Sequence, residues 1–277
     1  RLRNLKNKVA VVTGGSSGIG KAIAVELADN GCKLAVIGTS QSRIDATLAM
    51  MPAAQECRGY VCDVSDRAAV ASVADAVEQD FGDINIIVNN AGITTSAPFA
   101  EFDMGLFDRI IHVNFFGVVN CCHAFLPKLQ AHGKGHIVNM SSMLGFIGVP
   151  NQSAYVATKF AIRGFTESLW AELYNTDIAV TGIYPGTIQS EILQRASFSD
   201  DREKEAMMKM MDRFGIPASD VAKKTVEAIK RRRREVIIGK DAKALVEFKR
   251  LFPEACHRLT ASGAQKAKEK IYAGKWW

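Results

Sequence analysis

"KVAVVTGGSSGIGKAIAVELADNG", residues 8–31, sets a Val-rich run against a glycine-rich turn and a helical stretch that closes at Asn30-Gly31. A short, almost continuous apolar run followed at once by a helix opens a parallel α/β unit, because such strands are buried on both faces. The alternation continues outward through "KLAVIG" (33–38), "GYVCDV" (59–64), "INIIVNNAG" (84–92), "HIVNMSS" (136–142), "IAVTGIYPG" (178–186) and "EVIIG" (235–239). This order predicts an α/β fold with a doubly wound parallel seven-stranded sheet, a Rossmann fold, in a single domain.

The rhythm changes after Gly186. Residues 187–217 show no strand, carry "DDREKEAMMKMMDRF" (200–214) and end at Pro217, so they read as an inserted helical flap. The expected division is a main domain over 1–240, with the flap at about 187–217, and a C-terminal helical extension and tail over 241–277. Within the extension, 241–259 reads as helix and 260–277 as a polar tail ending in Trp-Trp.

The 277 residues, 48% of them hydrophobic, suffice for one large core. Six cysteines form no C-x-x-C pair and no His/Cys cluster, which predicts reduced thiols and no metal. No apolar run approaches the roughly 20 residues of a spanning helix, and "RLRNLKNK" at the start lacks the apolar core of a signal peptide. A cytoplasmic location is expected, with peripheral membrane association left open. The formal charge of +6 suits an anionic cofactor, a nucleic acid or a membrane surface alike. "KRRRR" (230–234) ends a helix, where cations complement the dipole, so it reads as a solvated helix end rather than a nucleic-acid site. Leu245, Phe248 and Phe252 stand at helical spacing with basic neighbours. Packing is the first reading for them and a membrane surface the second.

At the first strand-to-helix turn, glycines allow a pyrophosphate to approach the backbone and the N–H groups of a helix start. A glycine turn alone is weak evidence. Asp63, "NNAG" (89–92) and Ser141-Ser142 follow the third, fourth and fifth strands. Each could be an ordinary turn or cap residue. Together they mark the edge where an open α/β sheet binds its ligand.

On these residues the chain resembles the short-chain dehydrogenase/reductase family from about Lys8 to Gly239. T-G-x-x-x-G-x-G is present as Thr13, Gly14, Gly18 and Gly20, and N-N-A-G as Asn89 to Gly92. The helix asparagine is Asn114, the serine Ser142, Y-x-x-x-K is Tyr155 and Lys159, and the P-G turn is Pro185-Gly186. The chain departs from the family in having Asn85 where Asp is common, and Ser190 where a Thr follows the P-G turn. The resemblance implies an oxidoreductase with a nicotinamide cofactor, forming homodimers or homotetramers, whose catalytic set is Asn114, Ser142, Tyr155 and Lys159. It implies cofactor contacts from Gly14, Ser16, Ser17, Gly18, Ile19 and Gly20 at the turn, and from Thr39, Ser40 and Arg43 after the second strand. Asp63 and Val64 follow, then Asn90, Ala91 and Gly92, then Tyr155 and Lys159, and finally Pro185, Gly186, Thr187, Ile188 and Ser190. Lys159 would also bind the nicotinamide ribose, and Asn114 would hold a water that links Lys159 to solvent.

The residues themselves explain the pair. Positions i and i+4 share a helix face, so Tyr155 and Lys159 can point into one cleft. A phenol with a pKa of about 10 needs a nearby cation to serve as a base at neutral pH. A shift of three units asks for about 4 kcal/mol. In reduction Tyr155 would donate a proton while Ser142 holds the carbonyl oxygen. Asn114, in the apolar "IIHVNFFGVVNCC" (110–122), reads without the other motifs as a buried amide bonded to nearby backbone.

No acid stands about 20 residues beyond the turn, where one would bind the ribose of NAD. Gly38, Thr39 and Ser40 occupy that place, with Arg43 and Lys21 to add charge. NADP(H) is therefore expected, although Ser17 stands where many NADP-using relatives carry a basic residue, and NAD(H) stays open. Thr39 or Ser40 is equally suited to cap the next helix. The flap carries Ile192, Leu193, Phe198, Met207, Met208, Met210, Met211 and Phe214, which suit a variable apolar ligand as well as plain helix packing. The expected substrate is a hydrophobic, lipid-like or steroid-like ketone or secondary alcohol. A non-catalytic dinucleotide-binding regulator on the same fold is the alternative.

Overall fold

The computed structural model describes residues 4–189 and 191–275. Seven parallel strands, β1 (Val9–Thr13), β2 (Lys33–Gly38), β3 (Cys57–Val61), β4 (Ile84–Asn89), β5 (Gly135–Met140), β6 (Ile178–Pro185) and β7 (Glu235–Ile238), form one sheet. Their order is β7-β6-β5-β4-β1-β2-β3. The order reverses at β1, which pairs with both β2 and β4, and this opens a crevice at the carboxyl ends of the strands.

Alternate side chains of each strand feed opposite layers, as the two-residue pleat requires. Ala10, Val12, Leu34 and Val36 pack with Ile23 and Leu27 of α1 (Gly18–Asp29) and Val226 and Ile229 of α8 (Ala218–Arg231). Val9, Val11, Ala35 and Ile37 face the other way, onto α3 (Arg67–Phe81), α5 (Gly117–His132) and α6 (Ser153–Glu172). α2 (Gln41–Leu48) covers β3 through Ile44.

Four sequence expectations need correction. β3 lies at 57–61 instead of 59–64, because the Asp63 carboxylate accepts the Ser65 N–H at 3.0 Å and turns the chain. The flap does contain strands, each two residues long. Ile188–Gln189 pairs with Ile216–Pro217, and Ser197–Phe198 pairs with Thr95–Ser96. Between them runs α7 (Asp201–Phe214), capped by the Asp200 side chain on the Arg202 N–H. Such short pairings have no periodicity to read.

The third correction concerns the tail. α9 (Lys240–Leu251) stops at Phe252, and a second helix, α10 (Pro253–Tyr272), starts with proline in its first turn, where the missing N–H costs nothing. Residues 260–272 are thus helix, and the Trp-Trp end lies outside the described residues. Leu245 and Phe248 pack, with the buried Cys256, on Phe146, Ile147 and Tyr184, while Phe252 is 56% exposed.

The fourth is the apolar run. α4 (Met104–Ile111) continues through a π-turn at His112–Phe116 into α5, and this 29-residue stretch is long and apolar enough to cross a membrane by length and composition. Its apolar side is instead spent on the sheet, with Phe125 and Leu129 fully buried. The basic run 230–234 is dispersed. Arg231 pairs with Glu227, Arg232 with Asp177, and the Arg234 guanidinium lies 5.2 Å from the Trp170 ring centre.

Candidate active site

The glycine turn is held to the end of β4 through Thr13 and Asn90. Thr13 Oγ1 accepts the N–H groups of Asn90 at 3.0 Å and Ala91 at 3.1 Å, and the Asn90 amide donates back to the Thr13 carbonyl at 3.1 Å. Gly14 has φ +61°, and a Cβ on Gly20 would stand 2.3 Å from the Gly14 carbonyl oxygen. Only glycine fits at both, so the start of α1 presses directly on the turn.

Ser142, Tyr155 and Lys159 come together at the end of β5 and on the first turns of α6, on the wall of a cleft of about 650 Å³. Ile19, Asn90, Gly92 and Pro185 to Ile188 line the same cleft. Thr187 is fixed by Asp241 of α9, whose carboxylate accepts the Thr187 N–H at 2.8 Å, and the Gly186 N–H donates to the Ile238 carbonyl at 2.7 Å. Ser141 points away and donates to the Lys159 carbonyl at 2.9 Å, whereas the Ser142 hydroxyl acts on the Tyr155 phenol.

Electrostatics here differ from the expectation. Burial pushes the Tyr155 phenol up to about 12, and the hydrogen bond from Ser142 offsets only part of that. Lys159 is buried and its amine donates to the Met140 carbonyl at 3.0 Å, 5.3 Å from the Tyr155 ring centre. Burial also lowers Lys159, to about 8. Among the protein's own groups, then, Tyr155 keeps its proton at neutral pH.

Asn114 sits in the π-turn, fully buried, and clamps Ile93 on both sides. Its Oδ1 accepts the Ile93 N–H at 2.8 Å, and its Nδ2 donates to the Ile93 carbonyl at 2.9 Å and to Thr158 Oγ1 at 3.2 Å. The arrangement ties the loop after β4 to the residue preceding Lys159, as a buried amide with full pairing can.

Thr39, Ser40, Arg43, Asp63 and Val64 follow β2 and β3 and are not among the residues that line the cleft. Thr39 is exposed, and Ser40 starts α2 without capping it, its hydroxyl 3.2 Å from that of Ser42. Ser16 packs beside Gly38, and Val64 is buried. Burial at Asp63 is outweighed by hydrogen bonds from Ser65 and Arg109, and its pKa is lowered. Ser190 lies outside the described residues.

An anionic dinucleotide fits these residues on two observations. The buried Arg43 Nε has no hydrogen-bond partner among the described residues. Arg195 of the flap donates to Ser17 Oγ at 3.2 Å and to Glu191 at 3.0 Å, which sets a guanidinium beside the positive end of α1. The exposed Glu191 carboxylate balances that charge, and a phosphate at the start of α1 would be a second anion within reach of the same guanidinium. Arg195, Asp241 and the α10 wall were not foreseen from sequence. Of these, only the spacing of Ala261, Ala264 and Ala267 is visible there, as a small-residue helix face.

A short chain dehydrogenase family profile matches residues 8–201. SadH of Mycobacterium tuberculosis, which bears an oxidoreductase name, is 37% identical over 96% of this chain and 98% of its own length. A 3α-hydroxysteroid dehydrogenase of Mediterraneibacter gnavus is 36% identical over 68% of this chain and 77% of its own. A solved short chain dehydrogenase/reductase of Burkholderia phymatum, in complex with NAD, superposes with a TM-score of 0.85 at 27% identity. That likeness covers 91% of this chain and 96% of the other.

Proposed function

The chain belongs to the short-chain dehydrogenase/reductase family, an oxidoreductase acting on CH–OH and C=O groups, and from that premise we propose that it reduces a hydrophobic, lipid-like or steroid-like ketone with NADPH. The observation that carries this reading is the convergence of Ser142, Tyr155 and Lys159 on one mostly apolar cleft, walled by Met207, Met210, Met211, Ile192 and Leu193 of the flap. The hydroxysteroid dehydrogenase relative supports the substrate class.

The cofactor supplies a hydride when bound. The residues expected to hold it are the turn 14–20, Asn90 to Gly92 and Pro185 to Ile188, with Lys159 at the ribose. Ser142 donates a hydrogen bond to the carbonyl oxygen, and Tyr155, protonated by virtue of its burial, gives that oxygen its proton. Lys159 opposes the charge left on the phenolate. Asn114 acts as a positioning residue through Ile93 and Thr158. The apolar walls exclude water, which strengthens each of these interactions.

The preference for the 2′-phosphate rests on positive charge at the far end of the site. No acid follows β2, Arg43 Nε has no hydrogen-bond partner among the described residues, and Arg195 supplies at Ser17 the cation that position 17 itself lacks. Arg195→Ala should weaken NADPH about tenfold or more and NADH much less, since one charge-assisted bond is worth about 1.5–3 kcal/mol. Fluorescence titration with the two cofactors measures this. Equal losses for both would place Arg195 elsewhere than at that phosphate.

Lys159 gives the reaction a pH limb. Its charge is lost as pH rises through about 8, so kcat/KM for reduction should fall above that pH. In Lys159→Met the residual rate should be flat across the same range. The overall test is turnover of NADPH and NADH over a panel of apolar ketones. Oxidation of NADPH with matching alcohol formation supports the reading, and tight binding without turnover on any ketone supports a regulator.

A further inference from the structure

The cleft has a second polar wall that the hydride-transfer groups do not use. Glu203 of α7 and Lys268 of α10 line it together with Asn151, amid Leu144, Val149 and Ile271. The Glu203 side chain is only 15% exposed, yet its nearest donors are distant: Asn151 Nδ2 at 3.4 Å and Lys268 Nζ at 3.8 Å. Good bonds to a carboxylate are about 2.7–2.9 Å long. A carboxylate has roughly four lone-pair sites, so this partly sheltered one has acceptor capacity left for a ligand.

Asn151 adds a second sign that the place is built. Its carbonyl is held by the Ala97 N–H at 2.9 Å, with φ +64°, a left-handed conformation that Asn adopts more readily than most residues. Lys268 turns its amine toward the Tyr272 ring, 5.7 Å from the ring centre, and toward Glu203.

We propose that Glu203, Asn151 and Lys268 form a subsite for a hydroxyl group that the apolar substrate carries in addition to its reacting carbonyl. The inference rests on the ketone-reductase reading and names the substrate class within it. The three side chains sum to zero charge, so an ionic group would leave a charge uncompensated in a largely apolar cleft. A hydroxyl donates to Glu203 and accepts from Asn151 or Lys268 at once, which no purely donating or accepting group can do. The reacting oxygen is handled by α6 and the end of β5, whereas Glu203 and Lys268 come from the helices that cover the cleft. The ligand therefore spans from one wall to the other.

The test uses three cyclic ketones with one apolar skeleton: plain, with a second hydroxyl, and with a carboxylate in its place. For the full chain, kcat/KM for the hydroxylated ketone should exceed that of the plain one about tenfold or more, chiefly through KM. Glu203→Leu should bring that ratio near one, and Glu203→Gln, which keeps an acceptor, should retain part of it. Calorimetry with the matching alcohols reads the subsite without turnover, and turnover of the plain ketone separately tests the oxidoreductase reading. A wild-type ratio near one, a ratio unchanged in Glu203→Leu, or preference for the carboxylate would each overturn the subsite.

Discussion

Tyr155→Phe is expected to lower kcat for ketone reduction by about a hundredfold to ten-thousandfold, the range a positioned general acid contributes. The change removes one hydroxyl and leaves the ring, so its 5.3 Å contact with the Lys159 amine persists. NADPH affinity should stay close to wild type, because the turn at 14–20 and the clamp from Thr13 to Asn90 are untouched. Steady-state kinetics with a parallel binding titration separates the two quantities. Near wild-type kcat in the variant would mean that another group protonates the oxygen.

Acid should destabilise the fold through a residue far from the cleft. His136 on β5 is fully buried, with Nε2 2.7 Å from Thr181 Oγ1 on β6. Burial, assisted by the nearby Arg232 charge, lowers its pKa from 6.5 to about 3. The folded protein thus refuses a proton that the unfolded chain accepts near pH 6.5. Between these values the unfolded state binds more protons, so stability falls as pH falls. The loss attributable to this one group reaches about 2 kcal/mol by pH 5. Urea unfolding at pH 7 and pH 5 measures it, and His136→Gln, which can still bond Thr181, should show a drop smaller by about that amount. An equal drop in both proteins would remove His136 as the cause.

The sheet is legible in the sequence because a parallel strand covered on both faces must be an almost unbroken apolar run, as at Val9–Thr13 and Ile84–Asn89. The motif residues are legible because their chemistry restricts them: Gly20 tolerates no Cβ, and Tyr155 and Lys159 need one helical turn between them. What escapes reading depends on tertiary contact. The two-residue strands at 188–189 and 197–198 exist only through their partners, and α10 looks polar because it turns a narrow face of alanines to the cleft. The direction of the Tyr155 shift escapes for the same reason. Spacing shows that Lys159 is near, but burial of both groups decides which influence prevails.

Direct measurement of product per cofactor consumed bears hardest on the central claim. Wild-type protein would be mixed with a slight excess of NADPH and an apolar cyclic ketone, and the alcohol formed counted against the NADPH lost. The account predicts one alcohol for each NADPH oxidised, a faster reaction with NADPH than with NADH, and no product from Tyr155→Phe on the same time scale. NADPH that binds tightly and stays reduced with every ketone would contradict it.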